Sequence, residues 1–175
     1  MANREDRARI AAETVAITQI GEYVAPSGRR VDVRDAVRAA VEGSVLITPG
    51  ETPSLRVRAD QLIAGAGARR TTFEVRNETT FAAARRLAAR FGADRVAALN
   101  FASAKNPGGG FLGGSQAQEE SLARASALVA CLERHMTYYD ANRRAQSLLG
   151  WRPDAVAFMA SPAPAGGAGD DRVSF

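Results

Sequence analysis

The sequence predicts an α/β fold, and three neighbouring segments carry that expectation. Thr71 to Arg76 alternates and is rich in β-forming residues, so it reads as a strand. Thr79 can N-cap a helix of Ala, Arg and Leu that runs to Arg90, with Gly92 at its stop. Arg95 to Phe101 is apolar enough for a buried strand. Strand, helix, strand is the unit of a parallel sheet with a right-handed crossover. At 175 residues the chain has room for one domain, or one domain with an appendage.

The flanking elements follow in order. Arg4 to Ile20 has partial helical periodicity, with Ile10, Ile17 and Ile20 on one broad face. Glu22 to Val33 reads as a hairpin that turns at Pro26-Ser27-Gly28. Asp35 to Val41 is a second helix that Gly43 can end. Leu46 to Thr48 looks like a strand stopped by Pro49-Gly50, and residues 50–70 are mixed. After the central unit comes a glycine-rich loop, Asn106 to Ser115, and then a helix. Ser115 and Gln118 fit a capping box at its start. Leu122, Ala125, Leu128, Val129 and Leu132 form its apolar stripe. Residues 137–149 read as another helix, Ala155 to Met159 as a further strand, and Pro162 to Asp171 as a loose stretch.

Composition narrows the chemistry. The single cysteine, Cys131, excludes a disulfide framework and a multi-cysteine zinc site. The single histidine, His135, excludes any mechanism or metal site that needs two. No apolar run approaches the roughly 18 residues of a membrane span. The charged N-terminus lacks the apolar core of a signal peptide, so the expected setting is cytoplasmic. The net charge of +4 is almost entirely arginine, since Lys105 is the only lysine. That surplus is spread through the first hundred residues and reads mainly as solvated arginine faces.

The glycine loop is the strongest chemical feature. Open parallel sheets bind ligands beyond the carboxyl ends of their strands. Glycines let a backbone approach phosphate oxygens, and a helix start adds partial positive charge. Gly108, Gly110 and Gly113 satisfy G-x-G-x-x-G, but no strand with a terminal acid follows at the dinucleotide spacing. The Gly-Lys-Ser/Thr ending of a P-loop is also missing. Gln118-Glu119-Glu120 follows directly. Adjacent helical residues point about 100° apart, so Glu119 and Glu120 cannot do the same work. One can hold a sugar hydroxyl while the other faces the reacting bond. A carboxyl near Phe111 and Leu112 can serve as a general acid through a raised pKa.

The run Leu99-Asn-Phe-Ala-Ser-Ala-Lys-Asn-Pro-Gly-Gly-Gly-Phe-Leu-Gly-Gly, followed by Gln118-Glu-Glu, resembles the microbial-type poly(ADP-ribose) glycohydrolases. Seven residues, Phe111 to Ala117, separate the three glycines from Gln118, which is the family's spacing. The likeness reaches upstream to the Tyr23…Pro26-Ser27-Gly28 turn and the Leu46–Glu51 segment, and onward through Tyr138-Tyr139-Asp140-Ala-Asn142. It covers roughly residues 1–150.

The resemblance implies a three-layer α/β/α macrodomain core, residues 71–175, behind an N-terminal helical and hairpin extension, residues 1–70. It implies hydrolysis of the ribose–ribose O-glycosidic bond of poly(ADP-ribose), releasing ADP-ribose, with no cofactor or metal. The substrate would be the polymer or an ADP-ribosylated protein. Glu120 would be the catalytic acid. Glu119 and either Asn100 or Asn106 would hold the distal ribose, and Gly108, Gly109 and Gly110 would line the diphosphate. Phe111 and Gln118 would also face the ligand. The family's later strands, a second glycine-rich loop and an adenine-stacking aromatic have no match here, so the core reads as incomplete at its C-terminal end. Two other readings compete: a non-catalytic ADP-ribose-binding module, and a basic nucleic-acid-associated protein.

Overall fold

The computed structural model describes residues 3–67 and 70–144. The expected strand at Ala155–Met159, the loose stretch Pro162–Asp171 and the end of the helix expected over 137–149 lie outside the described residues.

Helix α1 (Arg4–Ile20) begins at a capping box. The Asn3 side chain accepts from the Asp6 amide at 2.8 Å, and the Asp6 carboxylate reaches back to the Asn3 amide. Gly21 ends it with φ +79° and donates to the Ile17 carbonyl at 2.7 Å. Its buried face differs from the expected one. Ala11, Thr14 and Ile17 are buried, while Ile20 is 64% exposed. Small residues win here because the helix lies close against the glycine loop. A methyl at Gly114 would stand 2.1 Å from the Arg4 carbonyl oxygen.

The expected hairpin forms. Strands β1 (Glu22–Val24) and β2 (Arg30–Asp32) pair antiparallel, with Tyr23 opposite Val31. Gly28 donates to the Ala25 carbonyl in the turn, and its φ of +79° is one that a glycine adopts readily. Helix α2 (Arg34–Gly43) follows and has Gly43 as its last residue. Ser44 closes it with its Oγ 2.8 Å from the Val41 carbonyl and 3.0 Å from His135 Nε2. Helix α3 (Thr52–Gly65) occupies the region that reads as mixed in sequence. Helix α4 (Thr80–Phe91) has its expected cap, the Thr79 hydroxyl accepting from the Ala82 amide at 3.2 Å, and its expected stop at Gly92.

The other strand expectations are corrected. Leu46–Thr48, Thr71–Arg76 and Arg95–Phe101 form no regular ladder among the described residues, and Ala93–Arg95 is a short 3-10 turn. A strand exists only through its partner, and these segments have no neighbouring strand to pair with among the described residues. Phe73 and Val75 are accordingly 92% and 97% exposed. The described part is thus mixed α/β, mostly helical, with one small two-stranded sheet.

The expected helix after the glycine loop is divided into α5 (Gln118–Ala123) and α6 (Leu128–Glu133), followed by α7 (Met136–Arg144). These elements share their core with the N-terminal segment. Ala11, Phe111 and Ala123 form one cluster, and Ile17, Val33, Val37 and Ala127 form another. Cys131 is a buried core side chain, as its residue type favours.

Candidate active site

The loop is shaped by glycines in the left-handed region. Gly108, Gly109 and Gly114 have φ of +70°, +61° and +72°. A side chain on Gly108 would collide with Val129 and Phe111, and one on Gly109 with the two glutamates. The loop's own amides are mostly engaged. Those of Gly109, Phe111, Gly113, Gly114 and Ser115 donate to loop carbonyls, and that of Gly110 donates to Glu120 Oε1 at 3.1 Å. The glycines therefore contribute close approach more than a row of amides aimed at a phosphate.

The capping box expected from Ser115 and Gln118 does not form. Ala117 is the N-cap of α5, with no side-chain hydrogen bond. Gln118 is instead a tie. Its Nε2 donates to the Leu99 carbonyl at 2.8 Å and lies 3.3 Å from the Thr80 hydroxyl. Its Oε1 accepts from the Phe101 amide at 2.9 Å. One amide side chain thus holds segment 99–101 against the start of α5.

Glu119 and Glu120 differ in burial and in partners. Glu119 is 3% exposed and points inward. Its Oε2 accepts from the Ser103 amide at 2.7 Å. Burial pushes its carboxyl above the ordinary range, against the opposing pull of the Ser103 amide and the nearby Asn100 side chain. Glu119 Oε1 and both polar side-chain atoms of Asn100 are buried without a hydrogen-bond partner. These atoms are each other's neighbours, with the Gly108 amide also near Glu119, so the protein forms a buried polar spot here whose own hydrogen bonds are poorly made. The Glu120 carboxylate, half-buried, rests on Gly109 and Gly110, and Glu119 Oε2 approaches the same Gly109.

The remaining expected residues fall around this pair. Asn100 stands at Glu119, whereas Asn106 is exposed and contributes its backbone, its carbonyl accepting from the Gly109 amide at 3.0 Å. Phe111, expected to face the ligand, is 3% exposed and packs on Ala11 and Ala123 behind the loop. Tyr139 belongs to the Tyr138–Asn142 stretch that carries the family likeness and has no site role from sequence. It is buried, and burial together with the Glu119 charge pushes its phenol up, which places it in the electrostatic reach of the site. Among the described residues, no group of three His, Cys, Asp or Glu side chains is placed to hold a metal ion.

Comparison with known proteins bears on this geometry. A family model described as the microbial-type PARG catalytic domain matches residues 11–156. The crystal structure of poly(ADP-ribose) glycohydrolase from Thermomonospora curvata bound to the inhibitor ADP-HPD is 47% identical, with a TM-score of 0.68. The match covers 81% of this chain and 49% of that one. A glutamate-to-alanine mutant of the Thermomonospora curvata protein matches with 47% identity and a TM-score of 0.66, over 80% of this chain and 48% of the other. This chain thus spans about half the length of the structures it matches. Comparison with curated proteins finds no match.

Proposed function

This chain belongs to the microbial-type PARG catalytic-domain family, and on that premise we propose that it carries the acid–base half of a poly(ADP-ribose) glycohydrolase site. Support comes from one arrangement above all: two adjacent glutamates that converge on Gly109 at different depths. Glu119 is buried beside Asn100, and Glu120 is half-buried against glycine backbone.

Glu120 protonates the departing ribose oxygen as the bond from the anomeric carbon to that oxygen breaks. The anomeric carbon then carries oxocarbenium character. Glu120, now a carboxylate, takes a proton from the water that adds to that carbon, and ADP-ribose leaves with a new anomeric hydroxyl. One carboxyl thus serves both proton transfers, unlike the two-carboxylate arrangement of most glycosidases. Glu119 and Asn100 orient the ribose through its hydroxyls, filling hydrogen bonds that the protein leaves unmade. Gly108, Gly109 and Gly110 offer a surface without side chains on which the diphosphate can lie close. Gln118 keeps the Asn100 segment in place. Phe111 acts from behind the loop.

The same reading sets these elements in a three-layer macrodomain core over residues 71–175, with residues 1–70 as its helical extension, in a bacterial cytoplasm. Its substrate is poly(ADP-ribose) or an ADP-ribosylated protein, and it needs no cofactor. Incubating the purified chain with polymer and quantifying released ADP-ribose tests the proposal. Binding of ADP-ribose with no release, in wild type and in Glu120→Gln alike, would support a binding module instead.

A further inference from the structure

Four arginines grip the two ends of the glycine loop by its carbonyl oxygens. Arg4 Nε donates to Gly113 at 2.8 Å, and Arg7 Nε to Gly114 at 2.8 Å. Arg124 Nη1 donates to Ser115 at 2.6 Å. At the other end, Arg143 Nη1 donates to the Lys105 carbonyl at 2.7 Å. Three successive carbonyls, 113 to 115, are thus each held by a guanidinium, two of them from α1. Guanidinium is the suitable donor, because its charge strengthens each bond and it never deprotonates.

These bonds lead to Glu120. The peptide unit joining Gly114 to Ser115 accepts from Arg7 at its oxygen and donates from its nitrogen to the Gly110 carbonyl at 3.2 Å. The Gly110 N–H, part of the adjoining 109–110 peptide unit, donates to Glu120 Oε1, so holding the Gly110 carbonyl in place fixes the backbone that presents this amide. Arg124 is buried, its own backbone carbonyl lies 2.7 Å from the Thr14 hydroxyl of α1, and it sits close enough to Glu120 and Arg7 to feel both charges.

We propose that Arg4, Arg7 and Arg124 are positioning residues that set the place of the Glu120 carboxylate through the Gly110–Ser115 turn, making α1 part of the catalytic apparatus. The assignment rests on the functional reading above.

Arg7→Met keeps the aliphatic stem and removes the donor. Amide hydrogen exchange should speed up by about tenfold at Gly110 and Ser115, with α2 amides unchanged. With polymer as substrate, kcat should fall by about tenfold while KM stays within about threefold, because carboxylate placement and not ribose binding is lost. Arg7→Lys, which restores charge but not the flat donor, should leave kcat low. Unchanged exchange at Gly110 and Ser115 in folded Arg7→Met, or full recovery in Arg7→Lys, would overturn the proposal. Arg4→Met removes the exposed member of the clamp and supplies the same readout should Arg7→Met fail to fold. Wild-type chain that releases no ADP-ribose would defeat the functional reading, and the exchange measurement would still decide the clamp.

Discussion

The Glu120 carboxylate rests directly on the α-carbon of Gly109: a methyl group added there would lie 2.4 Å from Oε1. No side chain fits that gap without displacing the acid. The backbone at Gly109, with φ +61°, also disfavours any other residue. Left-handed conformation alone costs a non-glycine residue roughly 1–2 kcal/mol. Gly109→Val should therefore lose stability by at least about that much and lose the thermal shift produced by ADP-ribose. An undiminished shift would place the ligand elsewhere.

Glu120→Gln preserves size and the hydrogen bond accepted from Gly110 but has no proton to transfer. Turnover should drop by about 10²–10⁴-fold, the usual range for acid–base assistance. ADP-ribose affinity, read by calorimetry, should change only a few-fold. Normal hydrolysis by the variant would remove Glu120 from the acid role.

Glu119 gives a pH signature. Its folded pKa is raised above the ordinary 4.5 by burial, so the folded state holds this proton to higher pH than the unfolded chain does. The group's contribution to stability is full below the unfolded value and is lost as pH rises through the folded one. Glu119→Gln cannot ionise and has no such loss. Urea unfolding across pH 4 to 7 should show the variant gaining on wild type as pH climbs from about 4. A constant difference would mean that Glu119 is not shielded from water.

Phe111 is a core residue within a loop that looks functional. Phe111→Ala should destabilise the protein by about 3–5 kcal/mol, the range for buried phenylalanine truncations. Gln118→Ala should be milder. It hands the exposed Phe101 amide and Leu99 carbonyl to water and should cost about 0.5–1.5 kcal/mol, with faster exchange confined to 99–103. Chemical denaturation ranks the two, and the reverse order would contradict these assignments.

The legible parts of the sequence were those fixed by local chemistry. Thr79 and Gly92 bracket α4, Gly28 turns the hairpin, and Gln118-Glu119-Glu120 follows its glycines at a telling distance. What failed depended on partners far along the chain. Thr71–Arg76 has β-forming residues but no ladder partner among the described residues, and alternation cannot supply one. Helix α3 buries no residue, so it carries no apolar stripe to read, and Pro53 in its first turn looks like a breaker although that position tolerates proline. The Ser115–Gln118 spacing fits a cap, yet Gln118 does better bonding Leu99 and Phe101. The role of Arg7 is invisible in sequence because its partner is a backbone oxygen 107 positions away.

The one thiol in the chain is buried on α6, on a residue whose carbonyl faces the Ser44 hydroxyl at the end of α2. Burial pushes that thiol up, so it resists both reagent and ionisation while it stays buried. A thiol-reactive dye then becomes a stopwatch. Its labelling rate, once independent of dye concentration, equals the rate of the opening that exposes Cys131. The wild-type sequence thus carries its own probe of local opening, with no background from a second cysteine, against which ligand or mutation in the distant loop can be timed.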